Sequence, residues 1–332
     1  MRRKFIVNVV NENEIKIKVC LNQDAIKVSE SAFIKYSSGN VIMPPVTQIL
    51  VDEFHGQTCI KSGYMKGDSF FVTKLASFFR NNGTLGLPNS SGLMLIVNAR
   101  TGNLDTLLLD NGYLTGIRTA AAGAVAAKYL SRESSSKAAI IGAGKQARLQ
   151  LRALMLVRDI KSSSVWSHNN SSSEEFAASM TEELGIPVSV SQSISAAVRE
   201  ADIVVTTTPS CEALIQSGDL KPGTHVTAIG SDAPGKTEIS PQAVAQANHY
   251  ICDSYQQCKI LGELEFVKNA NALDIIELGD VITGKHQYKR KDNDISICDL
   301  TGLGIQDAEI ALLAKRLSNN FIQLDSNPEE PQ

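Results

Sequence analysis

One short turn limits the fold of this chain more than anything else in it. Gly142, Ala143, Gly144, Lys145, Gln146 and Ala147 read GxGxxA. The run KAAIIGAG that leads into them is apolar and strand-like, and KQARLQLRALMLVR has the periodicity of a helix. A glycine turn in that strand-to-helix setting is a dinucleotide-binding fingerprint. The first glycine permits the tight turn, the second lets backbone approach a pyrophosphate, and a small third residue lets helix and strand pack closely. Amides at the helix start then face the phosphates. The alternative is a glycine turn that binds nothing. FAD and S-adenosylmethionine folds use related turns, but this one opens a mid-chain segment and no second FAD-type element accompanies it.

From Lys137 onward, short β-branched runs alternate with helix-period segments, which is the βαβ signature. SSVWSHN, VSVS, ADIVVTTTP, THVTAIG, HYICD and ISICDLTG read as strands. SSSEEFAASMTEELG, SISAAVRE, SPQAVAQA and KILGELEFVKN read as helices. The expected fold is α/β, a Rossmann-type doubly wound parallel sheet covered on both faces. The first 130 residues differ. KFIVNVV, DSFFVTKLASFF and GLMLIVNARTGNLDTLLLD suggest hairpins in a mixed or antiparallel sheet, and TGIRTAAAGAVAAKYL is a helix leading onward. QDAEIALLAKRLSNN is amphipathic and expected to return to the first domain, with DSNPEEPQ as a frayed tail. These readings place an N-terminal mixed α+β domain at 1–128 with 306–332, and the dinucleotide-binding domain at 129–305.

Composition removes several classes of function. The 332 residues carry 32 lysines and arginines against 35 acids, net charge -3, so the chain lacks the footprint of a nucleic-acid partner. No apolar run approaches a membrane span, and the start turns polar too early for a signal peptide, so a cytoplasmic protein is expected. Six cysteines stand without a CxxC pair and the histidines are single, so neither a disulfide framework nor a metal is expected.

About 20 residues beyond the turn, an NAD enzyme usually places a carboxylate on the ribose hydroxyls. Here the chain reads Val165, Trp166, Ser167, His168, Asn169, Asn170. With no carboxylate to repel a 2′-phosphate, and with His168, Asn169 and Ser171 able to donate hydrogen bonds, the balance between NAD(H) and NADP(H) tilts to NADP(H), with either cofactor still open.

Five blocks carry a wider resemblance: LLLDNGYLTGIRTAAAGAVAAKYL, IIGAGKQARLQLRAL, DIVVTTTPS, GSDAPGKTEI and CDLTGLGIQD. In this order and spacing the chain resembles the ornithine cyclodeaminase and mu-crystallin family. The family's PSLSGLM-like text appears here as LPNSSGLM, and MPPVTQ with VTKLASFFRNNGTLGLP looks most like its ectoine-utilization (EutC) branch. The resemblance implies a homodimer in which 1–128 with 306–332 is the substrate-binding and dimerisation domain and 129–305 the Rossmann NAD(P)-binding domain, a bound NAD(P)(H), and hydride passing between the α-carbon of an amino or imino acid and nicotinamide.

Asp232 follows the strand THVTAIG at the carboxyl end of the sheet, and the resemblance makes it the acid/base group; the alternative is a turn aspartate. Lys74 sits in FFVTKLASFF, an expensive place for an ammonium without an anion. By resemblance it is catalytic with Asp232 and touches the substrate carboxylate, with Lys61 of CIKSGY as a second candidate; a solvent-facing strand lysine is the alternative for each. Arg118, in a helix of small apolar residues, is either an anion clamp or a buried structural ion pair. The resemblance gives it to the substrate carboxylate and the cofactor. It also places Ser91, Thr119, Thr206, Thr207, Ser231 and Lys236 along the cofactor, with Thr301 and Gly302 at the nicotinamide. After the proline pair, family members carry an arginine for the substrate carboxylate, whereas this chain has Gln48, a weaker carboxylate ligand. Three readings follow: an imino-acid reductase or amino-acid dehydrogenase, a redox-neutral cyclodeaminase, and a non-catalytic dinucleotide-dependent binding protein.

Overall fold

The computed structural model describes residues 6–268, 270, 273–318 and 322–325. The chain forms two compact units. The first takes the residues up to Cys20, Ser38–Arg118 and those from Leu303 on; the second takes Leu21–Ser37 and Thr119–Gly302.

The first unit is built on strands β1 (Ile6–Asn11), β2 (Val41–Ile42), β3 (Thr47–Val51), β4 (Gly56–Met65), β5 (Phe70–Phe79), β6 (Ser90–Asn98), β7 (Leu104–Leu109) and β16 (Ile322–Asp325). They form one sheet in the order β16-β1-β7-β6-β5-β4-β2, with β3 also on β4. β1 joins β7 in parallel while the other neighbours are antiparallel, so the sheet is mixed. Cross-strand pairing sets Lys61, Lys74, Met94, Leu108 and Val10 in one buried row across β4, β5, β6, β7 and β1. Helix α1 (Glu12–Lys18) is capped by Asn11, whose Oδ1 accepts the Glu14 amide at 3.0 Å. Helix α10 (Gly304–Leu317) lies on β4, β5 and β6. Its first turn comes so near β4 that a Cβ on Gly304 would lie 2.1 Å from the Ser62 carbonyl oxygen, and one on Gly63 2.5 Å from the backbone of Gly304. Glycine is required at both places by space.

The second unit holds β8 (Lys137–Ile141), β9 (Ser162–Trp166), β10 (Val188–Val190), β11 (Ile203–Thr206), β12 (His225–Ala228), β13 (His249–Cys252), β14 (Ile275–Glu277) and β15 (Ser296–Asp299). All pair in parallel, in the order β10-β9-β8-β11-β12-β15-β13-β14. This is the doubly wound sheet, and its strand order reverses between β8 and β11, the place where such sheets open a ligand crevice. Between the strands run α4 (Lys145–Met155), α5 (Asn170–Leu184), α6 (Ile194–Val198), α7 (Pro241–Gln246), α8 (Tyr255–Leu261) and α9 (Leu278–Thr283). Helix α3 (Tyr113–Leu130) passes from the first unit into the second along its own length. No helix among the described residues is long and apolar enough to cross a membrane.

The spans read from the sequence differ from these units. The chain crosses between units after Arg118 and after Gly302, rather than after residues 128 and 305. Helix α2 (Gln23–Ser37) belongs to the second unit because it packs on α9. There Ser37 Oγ donates to Asp280 Oδ1 at 2.5 Å and Tyr36 Oη to Ser254 Oγ at 2.7 Å. α1, α2 and α9 carry no strong sequence signal. Helix α10 is buried on most sides rather than amphipathic. Most of the expected frayed tail lies outside the described residues.

The close approach at Gly304 generates a test. Gly304→Ala should destabilise the protein by about 1–3 kcal/mol through overpacking against backbone, measured by urea unfolding; unchanged stability would contradict this packing of α10 on β4.

Candidate active site

In the first unit, three elements bring three charges together. β5 carries Lys74, α3 carries Arg118 and α10 carries Asp307, which are 2%, 7% and 1% exposed. Lys74 Nζ lies 2.9 Å from Asp307 Oδ2, and Arg118 Nε donates to Asp307 Oδ1 at 2.9 Å. Lys61, also buried, is the cross-strand partner of Lys74. Burial pulls the Lys74 ammonium from its ordinary 10.5 to about 8; Arg118 and Lys61 push the same way, and Asp307 opposes them. Burial alone would raise the Asp307 carboxyl, but Arg118, Lys74 and Lys61 together hold it below its ordinary value. Asp110, buried beside them, accepts the Leu114 amide at 2.8 Å at the start of α3, and burial raises its pKa. Three cationic side chains thus gather round one firmly ionised carboxylate. Such a cluster suits an anion.

Lys74 is therefore not a solvent-facing strand lysine, and Arg118 makes the buried ion pair that was one of its two expected roles. Asp307 escaped the sequence reading. Its signal was an acid at the head of the buried stripe Ile310, Ala311 and Ala314 of α10. Gln48, half-buried on β3, pairs with Cys59, two residues from Lys61, and so lies on the same sheet face. Ser91 is exposed and pairs with Ser77, which puts it on the opposite face from Lys74.

In the second unit the glycine turn sits at the end of β8, next to β11. Gly142 has φ +111°, and a Cβ there would lie 2.5 Å from Thr207 Oγ1. Glycine is forced at this position by conformation and by space. Beside Gly144 a Cβ would meet nothing within 4 Å, and no side chain caps the first turn of α4. Backbone amides at this helix start face open space, as a pyrophosphate requires. Ala147 is fully buried, as close packing demands, while Lys145 is exposed and Ala143 and Gln146 are half-buried. These features fit a dinucleotide. At the end of β9, exposed His168 packs edge-to-face on Trp166 with ring centroids 5.0 Å apart. Asn169 caps α5 by accepting the Ser172 amide.

A buried chain of acids fixes the loops at the carboxyl end of this sheet. Glu238 Oε2 accepts the Thr206 hydroxyl at 2.6 Å and the Gly230 amide at 2.8 Å. Its Oε1 accepts the Thr208 amide at 2.6 Å and hydroxyl at 2.7 Å. Glu263 accepts the amides of Glu238 and Ile239 and the Thr237 hydroxyl. Asp299 accepts the Glu263 amide and the Tyr250 hydroxyl. Burial, then Asp299 and Glu238, lifts Glu263 from 4.5 to about 8, and burial lifts Asp299 from 3.8 to about 7. Asp253 closes the last loop: its Oδ1 accepts the Thr301 hydroxyl at 3.0 Å and its Oδ2 the Gly302 amide at 2.6 Å. Gln257 Nε2 also donates to Thr301 Oγ1 and to the Gly302 carbonyl. None of these acids stood out in the sequence, because an isolated carboxylate in a loop does not announce its burial.

Several of the side chains singled out in the sequence take part in this network or lie beside it. The Thr206 hydroxyl is turned inward to Glu238, and the Ser231 hydroxyl donates to the Lys236 and Leu261 carbonyls, so neither is presented outward. Thr207 Oγ1 donates to the Ile141 carbonyl beside the glycine turn. Thr119 gives its carbonyl to Gln150 Nε2 of α4. Lys236, expected along the cofactor, lies 2.7 Å from Asp232 Oδ1. Asp232 itself is half-exposed on the loop after β12.

The sequence pattern of the ornithine cyclodeaminase/mu-crystallin family matches residues 6–318. A protein of Rhizobium meliloti (strain 1021) described as a dehydrogenase is 43% identical over 317 residues, covering 94% of this chain and 96% of its own. Among solved structures, the Thermococcus litoralis Δ1-pyrroline-2-carboxylate reductase in complex with NADH and L-proline is similar with TM-score 0.86 and 27% identity, over 93% of this chain and 96% of its own. An archaeal alanine dehydrogenase dimer with bound NAD is similar with TM-score 0.89 and 29% identity, over 97% of this chain and 100% of its own.

The two glycines of the turn should respond differently to substitution. Gly142→Ala, strained in φ and against Thr207, should lower stability by about 1–3 kcal/mol and weaken dinucleotide binding together. Gly144→Ala should leave stability within about 0.5 kcal/mol while weakening the dinucleotide about tenfold or more, read from quenching of Trp166 fluorescence or by calorimetry. Equal affinity in Gly144→Ala would contradict phosphate binding at this turn.

Proposed function

Because the chain belongs to the ornithine cyclodeaminase/mu-crystallin family, we propose that it is an NAD(P)-dependent enzyme of amino-acid metabolism that interconverts an α-amino acid and its imine. The observation that carries this reading is the buried set Lys61, Lys74 and Arg118 around Asp307, in a chain that also has a dinucleotide turn. The nicotinamide, when bound, supplies or takes up the hydride.

The chain's own residues do the rest. Gly142–Ala147 and the start of α4 hold the pyrophosphate. No carboxylate stands at the end of β9, where His168 is exposed, so we take NADP(H) to be accepted at least as well as NAD(H). Lys74 and Arg118 bind and orient the substrate carboxylate, with Lys61 adding positive charge and Gln48 a neutral hydrogen-bonding side chain. Asp232 moves the proton at the substrate nitrogen, and Lys236 orients its carboxylate. The cluster unit binds substrate and forms a homodimer, in keeping with the dimer of the archaeal neighbour, and the protein works in the cytoplasm on small amino or imino acids.

A cyclodeaminase would use the same residues and is favoured as a second reading by the family itself. Absorbance near 340 nm separates the two. With NADPH or NADH, ammonia and a panel of 2-oxo acids or cyclic imines, the proposal expects cofactor oxidation that depends on the carbonyl or imine substrate. Ammonia release from ornithine with a flat trace would overturn it in favour of the cyclodeaminase. Asp232→Asn should cut turnover about 100-fold or more and leave dinucleotide affinity within about twofold; full activity would remove Asp232 from the mechanism.

The Lys74 ammonium also predicts a pH profile. Below its pKa it is charged and binds the carboxylate; as pH rises through about 8 it becomes neutral. The apparent affinity for carboxylate substrate should therefore fall on the alkaline side, with an inflection in kcat/KM that Lys74→Arg abolishes. A flat profile to pH 9.5 would contradict the assignment.

A further inference from the structure

A buried ion pair is weak evidence for stability, because removing two charges from water offsets most of their attraction. Lys74 stands in a row whose other members on β6, β7 and β1 are Met94, Leu108 and Val10. An apolar side chain would fit that row at no electrostatic cost. The charges at Lys74, Arg118 and Asp307 are better explained by what they present than by what they stabilise.

We infer that Asp307 is a positioning residue, whose two carboxylate oxygens hold the Lys74 ammonium and the Arg118 guanidinium side by side as one preformed seat for a substrate carboxylate. The geometry supports this in three ways. Each oxygen takes one cation, both at 2.9 Å, so one carboxylate anchors both. The cations come from separate elements, β5 and α3, and the α10 carboxylate touches both. Arg118 uses Nε, which turns the other edge of its guanidinium away from Asp307.

The same carboxylate sustains the charge of Lys74. Arg118 from α3 and Lys61 from β4 face Lys74 with like charge, Asp307 from α10 opposes them, and Asp110 from the turn before α3 is raised by its own burial. Met94, its neighbour on β6, carries no charge. Removing Asp307 leaves an ammonium that is buried between two cations, and it then sheds its proton at lower pH.

The inference rests on the reading of this cluster as the substrate's seat, and two readouts keep the two claims apart. The first is the pH titration of the Lys74 13Cε resonance in the full-length protein, assigned through Lys74→Met, which needs no activity. Asp307→Asn should move the midpoint at least about one pH unit below the wild-type value, and Asp307→Glu should bring it back. The second is kinetic: in Asp307→Asn the alkaline limb of kcat/KM should shift by the same amount and KM should rise about tenfold, with dinucleotide affinity unchanged within about twofold. An unshifted Lys74 midpoint overturns the role of Asp307 whatever the activity. A shifted midpoint in a protein that turns over no amino or imino acid supports the hold of Asp307 on Lys74 and sinks the reading of function instead. If Asp307→Asn does not fold, Asp307→Asn with Lys74→Met, which removes the stranded ammonium too, should fold; failure of the double variant would overturn the inference.

Discussion

A carboxylate that holds an ammonium and a guanidinium out of water constrains the whole first unit. Asp307 can meet Lys74 and Arg118 only if α10 comes down closely on β4 and β5. That descent requires Gly304 and Gly63, where any Cβ would strike backbone. It also requires Lys61 and Lys74 to face inward among core residues, which strand alternation allows and hydrophobicity opposes. The first unit thus buries two lysines and an arginine, and one acid offsets their mutual repulsion.

The second unit solves a related problem with backbone. Dinucleotide phosphates are met by amides, which need an uncapped helix start and a turn with no side chain in the way. Gly142 and Gly144 supply that turn. The neighbouring loops, which carry Thr206 to Thr208 and Gly230 to Asp232, are pinned from beneath by Glu238, and Asp253 does the same for Thr301 and Gly302. Buried acids with this many donors fix loop backbone while leaving Asp232 outside.

How much of this was legible in the sequence depended on how local the signal was. The strands and helices after Lys137 could be read because strand periodicity and helix periodicity alternate there without interruption, and GxGxxA marks its own conformation. The mixed sheet was visible in outline, but α1, α2 and α9 were not: α1 and α9 are short, with 7 and 6 residues, and α2 joins a unit formed mainly by residues more than 80 positions later. Lys74 and Arg118 stood out as charges among apolar neighbours. Asp307, Glu238, Glu263, Asp253 and Asp299 did not, because their meaning comes from partners far away in the chain. Thr206 and Ser231 point inward for a similar reason: the partners that turn their hydroxyls, the Glu238 carboxylate for Thr206 and the Lys236 and Leu261 carbonyls for Ser231, come from other parts of the chain.

The central claim is that hydride passes between the nicotinamide and the α-carbon of an amino or imino acid. The most direct measurement of it follows the atom itself. With NADPH or NADH deuterated at C4 on the pro-R face and, separately, on the pro-S face, and an imino-acid substrate, one of the two cofactors should place one deuterium on the α-carbon of the product, in equal amount to the cofactor oxidised, while the other keeps its label. Product formed without deuterium at that carbon from both cofactors would contradict hydride transfer to the α-carbon.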